Sequence, residues 1–300
     1  VLIRDLLDKG YSVTCLDNLM YKQFSLFDLA VNSSFNLVIG DVRDERIIEE
    51  MVPQYDFIFP LAAIVGLPTC DRNPRKATET NLDSIVLLNK HRSKEQRVIF
   101  PTTNTGYGTK TGDVFCTEET PLEPISLYGR TKVDAERHLL ESGKDVIALR
   151  LATVFGTSLR MRTDLMVNDF VLQALKQGYL MVYEGNFKRN FIHIRDVSGC
   201  FQHCMEHFDS MKNSIYNVGL DSANISKLGL AAKIKEQLPD IGIVAMDIRE
   251  DPDKRNYIVS NEKITKTGFV PRYTLEEGIA ELIRGYKILI AIEHREHGNF

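Results

Sequence analysis

Apolar residues recur along this chain in two rhythms that alternate, and the alternation is the first guide to its architecture. Leu2, Ile3, Leu6 and Leu7 share one helical face, and Lys9-Gly10 supplies a C-terminal stop. Tyr11-Ser-Val-Thr-Cys-Leu16 then reads as a strand ending in Asp17-Asn18, and Phe35-Asn-Leu-Val-Ile39 as a second ending in Gly40-Asp41-Val42. Asp56-Phe-Ile-Phe-Pro-Leu61 is a third, running on into Ala62-Ala63. The periodicity predicts a long helix over about residues 74 to 93, then a buried strand at Arg97-Val-Ile-Phe100 that opens into Pro101-Thr-Thr-Asn-Thr-Gly-Tyr-Gly108. A helix carrying Tyr128 follows, and Asp145-Val-Ile-Ala-Leu-Arg-Leu151 is another buried strand. Strand–helix alternation of this kind implies an α/β fold, a Rossmann-type parallel sheet flanked by helices.

Beyond Gly156 the pattern loosens. Helices are expected near 165–177, after Asp196, near 226–237 and from about Leu275; strands are expected at Leu180–Tyr183, Phe191–Ile194 and near 243–247. These segments predict a smaller lobe over the carboxyl edge of the sheet, where open α/β folds take their ligands. The expected division gives residues 1–157 plus about 190–215 to the sheet domain, and about 158–189 plus 216–300 to the smaller lobe.

Composition narrows the function by exclusion. The 37 basic and 41 acidic residues give a net charge of -4, which offers no electrostatic case for nucleic acid. No apolar run approaches the roughly 20 residues of a membrane span, and no signal peptide is apparent. Cys15, Cys70, Cys116, Cys200 and Cys204 form no paired framework, which suits a reducing cytoplasm. Cys200, His203, Cys204 and His207 invite a metal reading, but four ligands on one short helix cannot converge tetrahedrally, so a packed helix is expected and no metal.

The chemistry concentrates in Ser126-Leu-Tyr-Gly-Arg-Thr-Lys132. Tyr128 and Lys132 stand four apart and share a helix face. A neighbouring ammonium stabilises a phenolate and brings the tyrosine toward working pH, as a general acid/base requires. Thr103 lies 25 residues earlier, in the hydroxyl-rich loop at a strand end. A nucleotide-binding sheet ordinarily opens with a strand and a glycine-rich turn. Val1 starts inside what looks like the helix after that turn, so the expectation is an N-terminally truncated version of a longer protein that binds NAD poorly as given. Loss of cofactor binding is the alternative.

These residues together resemble the extended short-chain dehydrogenase/reductases that act on nucleotide-linked sugars. The resemblance spans essentially the whole chain, through Asp17-Asn18, Gly40-Asp41-Val42, Leu61-Ala62-Ala63, Asn81, Thr103, Tyr128, Lys132, Arg189-Asn-Phe-Ile-His-Ile-Arg-Asp196 and Tyr216-Asn-Val-Gly219. Pro101–Gly108, Arg160–Phe170 and Glu250–Tyr257 look like the bacterial GDP-heptose 4-dehydrogenases of capsular pathways. The resemblance implies NAD as cofactor, a GDP-linked nucleotide-sugar substrate, a cytoplasmic homodimer, and a role in capsule or surface polysaccharide biosynthesis. It assigns Asp17 and Asn18 to the adenosine ribose, Asp41 and Val42 to the adenine, and Leu61, Ala62 and Ala63 to the cofactor cleft. Asn81 braces that region, and Lys132 binds the nicotinamide ribose besides tuning Tyr128. Asn104, Asn168 and Arg189 face the sugar nucleotide, with Arg255, in preference to Arg249, joining Arg189 on the diphosphate. The expected dimer interface uses the 74–93 and Tyr128 helices, with Ile85, Leu88, Val133 and Leu140 as its apolar positions.

One departure narrows the reaction. Nucleotide-sugar 4,6-dehydratases and UDP-glucuronate decarboxylases carry Glu two residues after the loop threonine, where this chain has Thr105. A threonine cannot remove the C5 proton, so elimination is disfavoured and oxidation at C4 is expected, with Tyr128 as base and Thr103 beside the same oxygen. A 4-epimerase would use the same residues. A non-catalytic sugar-nucleotide-binding protein is the remaining alternative, and retention of Thr103, Tyr128 and Lys132 argues against it.

Overall fold

The structure, a computed structural model, describes residues 1–110, 115–246 and 256–296. Its centre is a four-stranded sheet, entirely parallel, in the spatial order Ser214–Val218, Val146–Leu151, Arg97–Thr103, Phe57–Ile58. Phe100 lies opposite Ala148, and Leu149 opposite Tyr216. The two middle strands are almost wholly buried, as expected for apolar runs covered by helices on both faces. Val13–Asp17 and Phe35–Ile39 form a separate parallel pair with Asp17 opposite Ile39, and none of its residues is buried. The third expected strand shortens to Phe57–Ile58. Pro60 has no N–H to give a ladder, and the chain turns instead, with the Leu61 N–H on the Phe59 carbonyl at 2.9 Å.

The long helix at 74–93 is real but interrupted. Pro74–Thr78 and Ser84–His91 are α-helical, and the wider turn Glu79–Asp83 between them is a π-type bulge. Such bulges re-aim side chains, and this one carries Asn81. The Tyr128 helix, Leu127–Leu140, is capped by Ser126, whose hydroxyl accepts the Gly129 N–H at 3.1 Å. Ala135 and Leu139 pack with Ile85, Val98, Phe100 and Val146. Ile85, Leu88 and Val133 are thus buried within the single chain and Leu140 half-buried, so these positions need no second subunit to cover them. On the open side, the same helix shows Arg130, Asp134 and Arg137.

A second apolar cluster gathers Phe155, Val167, Val171, Leu180, Leu230, Ile279 and Leu282 from the helices Met166–Gln177, Lys227–Gln237 and Leu275–Glu296 and the strands between them. Tyr179–Tyr183 pairs in parallel with Gly242–Met246, and Lys188–Arg189 antiparallel with Ile225–Ser226. Ser214–Val218 belongs to the main sheet throughout, and helix Ile194–Glu206 packs on that sheet through Val197, Cys200, Phe201 and Cys204. Cys200 and Cys204 are therefore core side chains, while His203 meets the Thr267 hydroxyl at 2.9 Å.

The helix Leu275–Glu296 approaches the strand Thr153–Phe155 so closely that a Cβ on Gly278 would lie 2.1 Å from a Phe155 ring carbon. Gly→Ala inside a helix ordinarily gains up to about 1 kcal/mol. Gly278→Ala is expected instead to lose about 1–3 kcal/mol through overpacking, read as a lower midpoint in denaturant unfolding with an unchanged slope.

Candidate active site

The expected site residues collect where strands end. Thr103 closes the strand Arg97–Thr103 and caps the short turn Asn104–Tyr107: its Oγ1 accepts the Thr105 N–H at 3.1 Å and donates to Thr105 Oγ1 at 2.8 Å. Gly108 then turns the chain with φ +69°, and a Cβ there would meet the Glu123 carbonyl oxygen at 2.2 Å. Asn104 is buried, with both amide atoms unpartnered. Buried polar groups are nearly always bonded, so Asn104 marks a place prepared for something else.

Tyr128, half-buried, packs beside Ile64, Cys70 and Ala77. One helical turn on, the Lys132 ammonium lies 4.0 Å from the centroid of the Phe100 ring, and the side chain is buried. Burial pushes this amine from its ordinary 10.5 down to about 7, against the opposing pull of the Glu136 carboxylate.

Asn81 joins the Ile64 loop to the Tyr128 helix. Its Oδ1 accepts the Ile64 N–H at 2.8 Å, and its Nδ2 donates to the Ile64 carbonyl at 2.9 Å and to Thr131 Oγ1 at 3.4 Å. Leu61 and Ala62 are exposed and Ala63 half-exposed on that loop. Asp17 is exposed and accepts the Leu19 N–H at 2.7 Å; Asn18 donates to Asp41 at 3.2 Å. Asp41 is gripped by the Arg43 guanidinium through two bonds of 2.9 Å, which hold its carboxyl well below the ordinary range. Val42 is half-buried beside it.

The residues expected on the sugar nucleotide divide. Arg189 is buried near the Tyr257 ring. Asn168 is buried too, but its amide is engaged: Oδ1 accepts the Gly156 N–H at 3.1 Å, and Nδ2 donates to the Arg162 carbonyl at 3.0 Å. It holds the 156–162 loop in place. Arg249 and Arg255 lie outside the described residues.

Two features escaped the sequence reading. Arg150, on a middle strand, bonds Glu136 of the Tyr128 helix and the hydroxyl of Tyr107; the visible signal was a lone charge in the apolar run 145–151. Glu281, from the last long helix, accepts the Thr157 N–H at 2.8 Å and Arg195 Nη1 at 2.7 Å, with His193 Nε2 at 3.3 Å. Burial opposes ionisation there, yet these bonds bring Glu281 down to about 2. Nothing in the local pattern around Glu281 announces partners 124 residues away.

Residues 1–219 match the NAD dependent epimerase/dehydratase family, and the chain belongs to it. UDP-glucuronic acid decarboxylase 1 of Xenopus tropicalis is 24% identical over 304 residues, covering 97% of this chain and 69% of that protein. dTDP-glucose 4,6-dehydratase of Streptomyces niveus is 24% identical over 292 residues, covering 93% of this chain and 84% of that protein. Among solved structures, the UDP-glucose 4-epimerase of Thermotoga maritima with UDP-glucose superposes with a TM-score of 0.83 at 24% identity, covering 96% of this chain and 95% of that one. The chain is thus an enzyme of a family whose cofactor is NAD, and the residues present fit such a group. An ammonium and an orphaned amide are buried at the sheet's carboxyl edge, and an exposed carboxylate, Asp17, ends a neighbouring strand. Among the described residues no helix is long and apolar enough to cross a membrane.

The Lys132 amine carries a sign-definite consequence. With a folded pKa near 7 against an ordinary 10.5, the folded chain binds fewer protons than the unfolded chain between those pH values. The cost of burying the charge is complete below pH 7 and fades as pH rises toward 10.5. Lys132→Met should therefore stabilise the ligand-free chain, by on the order of 1–3 kcal/mol at pH 6, with the gain shrinking toward pH 10. Thermal melts of both proteins across that range check it, and a gain that does not fall with pH would contradict it.

Proposed function

We propose that this enzyme oxidises C4 of a nucleotide-linked sugar, a GDP-linked heptose, in the cytoplasmic assembly of a bacterial capsule or surface polysaccharide. The observation that carries the reaction type is Thr105. Its hydroxyl is bonded by Thr103 at 2.8 Å, so the position supports the loop and supplies no carboxylate base, whereas Thr103, Tyr128 and Lys132 are all retained. The heptose and the GDP rest on the resemblance of Pro101–Gly108 and Arg160–Phe170. A homodimer through the Pro74–His91 and Leu127–Leu140 segments rests on family resemblance alone.

In this reading Tyr128, as phenolate, takes the proton of the C4 hydroxyl. The Thr103 hydroxyl turns from Thr105 to the same oxygen and steadies its developing charge. Bound NAD would supply the acceptor for the hydride leaving C4. Lys132 holds the nicotinamide ribose and favours the phenolate of Tyr128, exchanging the Phe100 ring for polar partners. Asp17 and Asn18 hold the adenosine ribose, and the Asp17 carboxylate selects against a 2'-phosphate. Asp41 and Val42 flank the adenine, and the Leu61–Ala63 loop, clipped by Asn81, lines the cleft. Asn104, Arg189 and Arg255 face the sugar nucleotide, and Asn168 acts by holding the 156–162 loop against it.

A second reading, 4-epimerisation, is favoured by the likeness to the UDP-glucose 4-epimerase structure. Incubation with GDP- and UDP-sugars separates the two. A 4-keto product two mass units lighter with accumulating NADH supports the dehydrogenase, and an isomer of unchanged mass supports the epimerase. Under either, Tyr128→Phe should lower kcat by about 10²–10⁴ while sugar-nucleotide affinity stays within several-fold, since the ring keeps its packing. Near-normal turnover by this variant would remove Tyr128 from the role of base.

A further inference from the structure

Three buried charges lie in line beneath the site. Lys132 and Glu136 are one turn apart on the Leu127–Leu140 helix, and Arg150 faces Glu136 from the strand Val146–Leu151. Arg150 Nη2 is 2.7 Å from Glu136 Oε1, and its Nε is 3.2 Å from both carboxylate oxygens; both side chains are 4% exposed. The other edge of the guanidinium, Nη1, donates to the Tyr107 hydroxyl at 3.1 Å and the Glu118 carbonyl at 3.0 Å. The Tyr107 hydroxyl in turn bonds Asn217 Oδ1 at 2.6 Å. Tyr107 ends the turn that Thr103 caps. One guanidinium therefore touches both the helix that carries Tyr128 and Lys132 and the loop that carries Thr103.

We propose that Glu136 and Arg150 are positioning residues that divide one buried carboxylate between two cations, setting the charge of Lys132 and fixing the Thr103 loop against it. Glu136 is the carboxylate whose field supports the Lys132 ammonium, against burial that strips its charge. Arg150 draws both oxygens of that carboxylate toward the strand and so limits how much of its field reaches Lys132. The other groups around the line are Tyr107 from the loop and Glu118, whose Oε1 accepts the Asn217 N–H at 2.7 Å. Toward the strand Arg97–Thr103, Lys132 meets the uncharged ring of Phe100. A pair that merely glued helix to sheet would have no reason to share its carboxylate with the lysine of the site.

The two members should then act on Lys132 with opposite signs. The probe is the Cε resonance of Lys132, identified by its loss in Lys132→Arg and followed by NMR against pH in the full chain without ligand. Glu136→Gln should lower the titration midpoint by about one unit or more. Arg150→Met, which leaves the carboxylate to Lys132 alone, should raise it, and Arg150→Lys should stay near wild type. Each single neutralisation buries an unpaired charge and can unfold the chain. The double variant Glu136→Leu/Arg150→Met removes both charges, a replacement that buried pairs tolerate, and should lower the midpoint with the fold intact. Shifts of the same sign in the two single variants, or an unmoved midpoint in the double variant, would overturn the proposal. The functional consequence rests on Tyr128 and Lys132 acting as proposed above, and the acid limb of kcat/KM against pH should move with each midpoint. Absence of turnover by the wild type on every nucleotide sugar would defeat that reading of function, while the NMR midpoints would still decide this one.

Discussion

A lysine amine held against a phenylalanine ring, away from water, is the constraint to which the rest of this site answers. Burial of an ammonium is costly unless its charge is compensated, and here the compensation comes from one turn further along its own helix, from Glu136. The Glu136 carboxylate has to be buried as well, so it in turn requires Arg150, and Arg150 requires acceptors for its remaining N–H groups, found in Tyr107 and the Glu118 carbonyl. Each step is dictated by the previous one's unsatisfied charge. The chain of partners reaches Asn217, on the outer strand of the four-stranded sheet. In this way Arg150 ties the Tyr128 helix, the Thr103 loop and two strands into one unit.

The Ile64 loop is held by uncharged groups instead. Asn81 bonds the Ile64 main chain as both donor and acceptor and reaches Thr131 on the Tyr128 helix. An α-helix running unbroken from 74 to 91 would carry that position around by its regular 100° per residue; the π-type bulge at Glu79–Asp83 shifts the phase. The bulge costs regular hydrogen bonding and yields a buried amide aimed at a loop. Charge fixes the catalytic helix from below, and a neutral clip fixes the cleft loop to its side.

What the sequence revealed, and what it hid, follow from the range of the forces involved. The strands at 97–100 and 145–151, the Tyr128 helix and the stop at Lys9-Gly10 are local patterns of apolar spacing and capping, and the structure has them, the first strand running three residues further, to Thr103. The Tyr128–Lys132 pairing is local too, being one helical turn. Hidden were the π-type bulge, since no residue type demands it, and every contact made by a side chain with a distant partner. Arg150 was visible as a charge in an apolar strand, but only the fold supplies Glu136 across from it. Ile85, Leu88 and Val133 looked like surplus apolar surface; in fact they fill the space between helices and sheet. Asn168 was placed at the substrate by resemblance, and its amide is spent on the Gly156 and Arg162 main chain.

The two sides of the cleft differ in how they are held. At the rear, Glu281 binds Thr157, Arg195 and His193 together, His193 stacks on Tyr273 with ring centroids 4.4 Å apart, and Asp196 accepts the Arg272 and Tyr273 N–H groups at 2.8 and 3.1 Å. The Thr157 and Asp196 contacts among these are partly buried and charge-assisted, and breaking one costs about 1.5–3 kcal/mol. At the mouth, the loop after Asp17 meets the loop after Phe155 through Arg160 lying 3.5 Å from the centroid of the half-exposed Tyr21 ring. An exposed contact of that kind is worth about 0.5–1 kcal/mol, comparable to thermal energy. The 156–162 loop is therefore held chiefly from the rear, by Glu281 on Thr157 and by Asn168 on Gly156 and Arg162, and only weakly across the mouth.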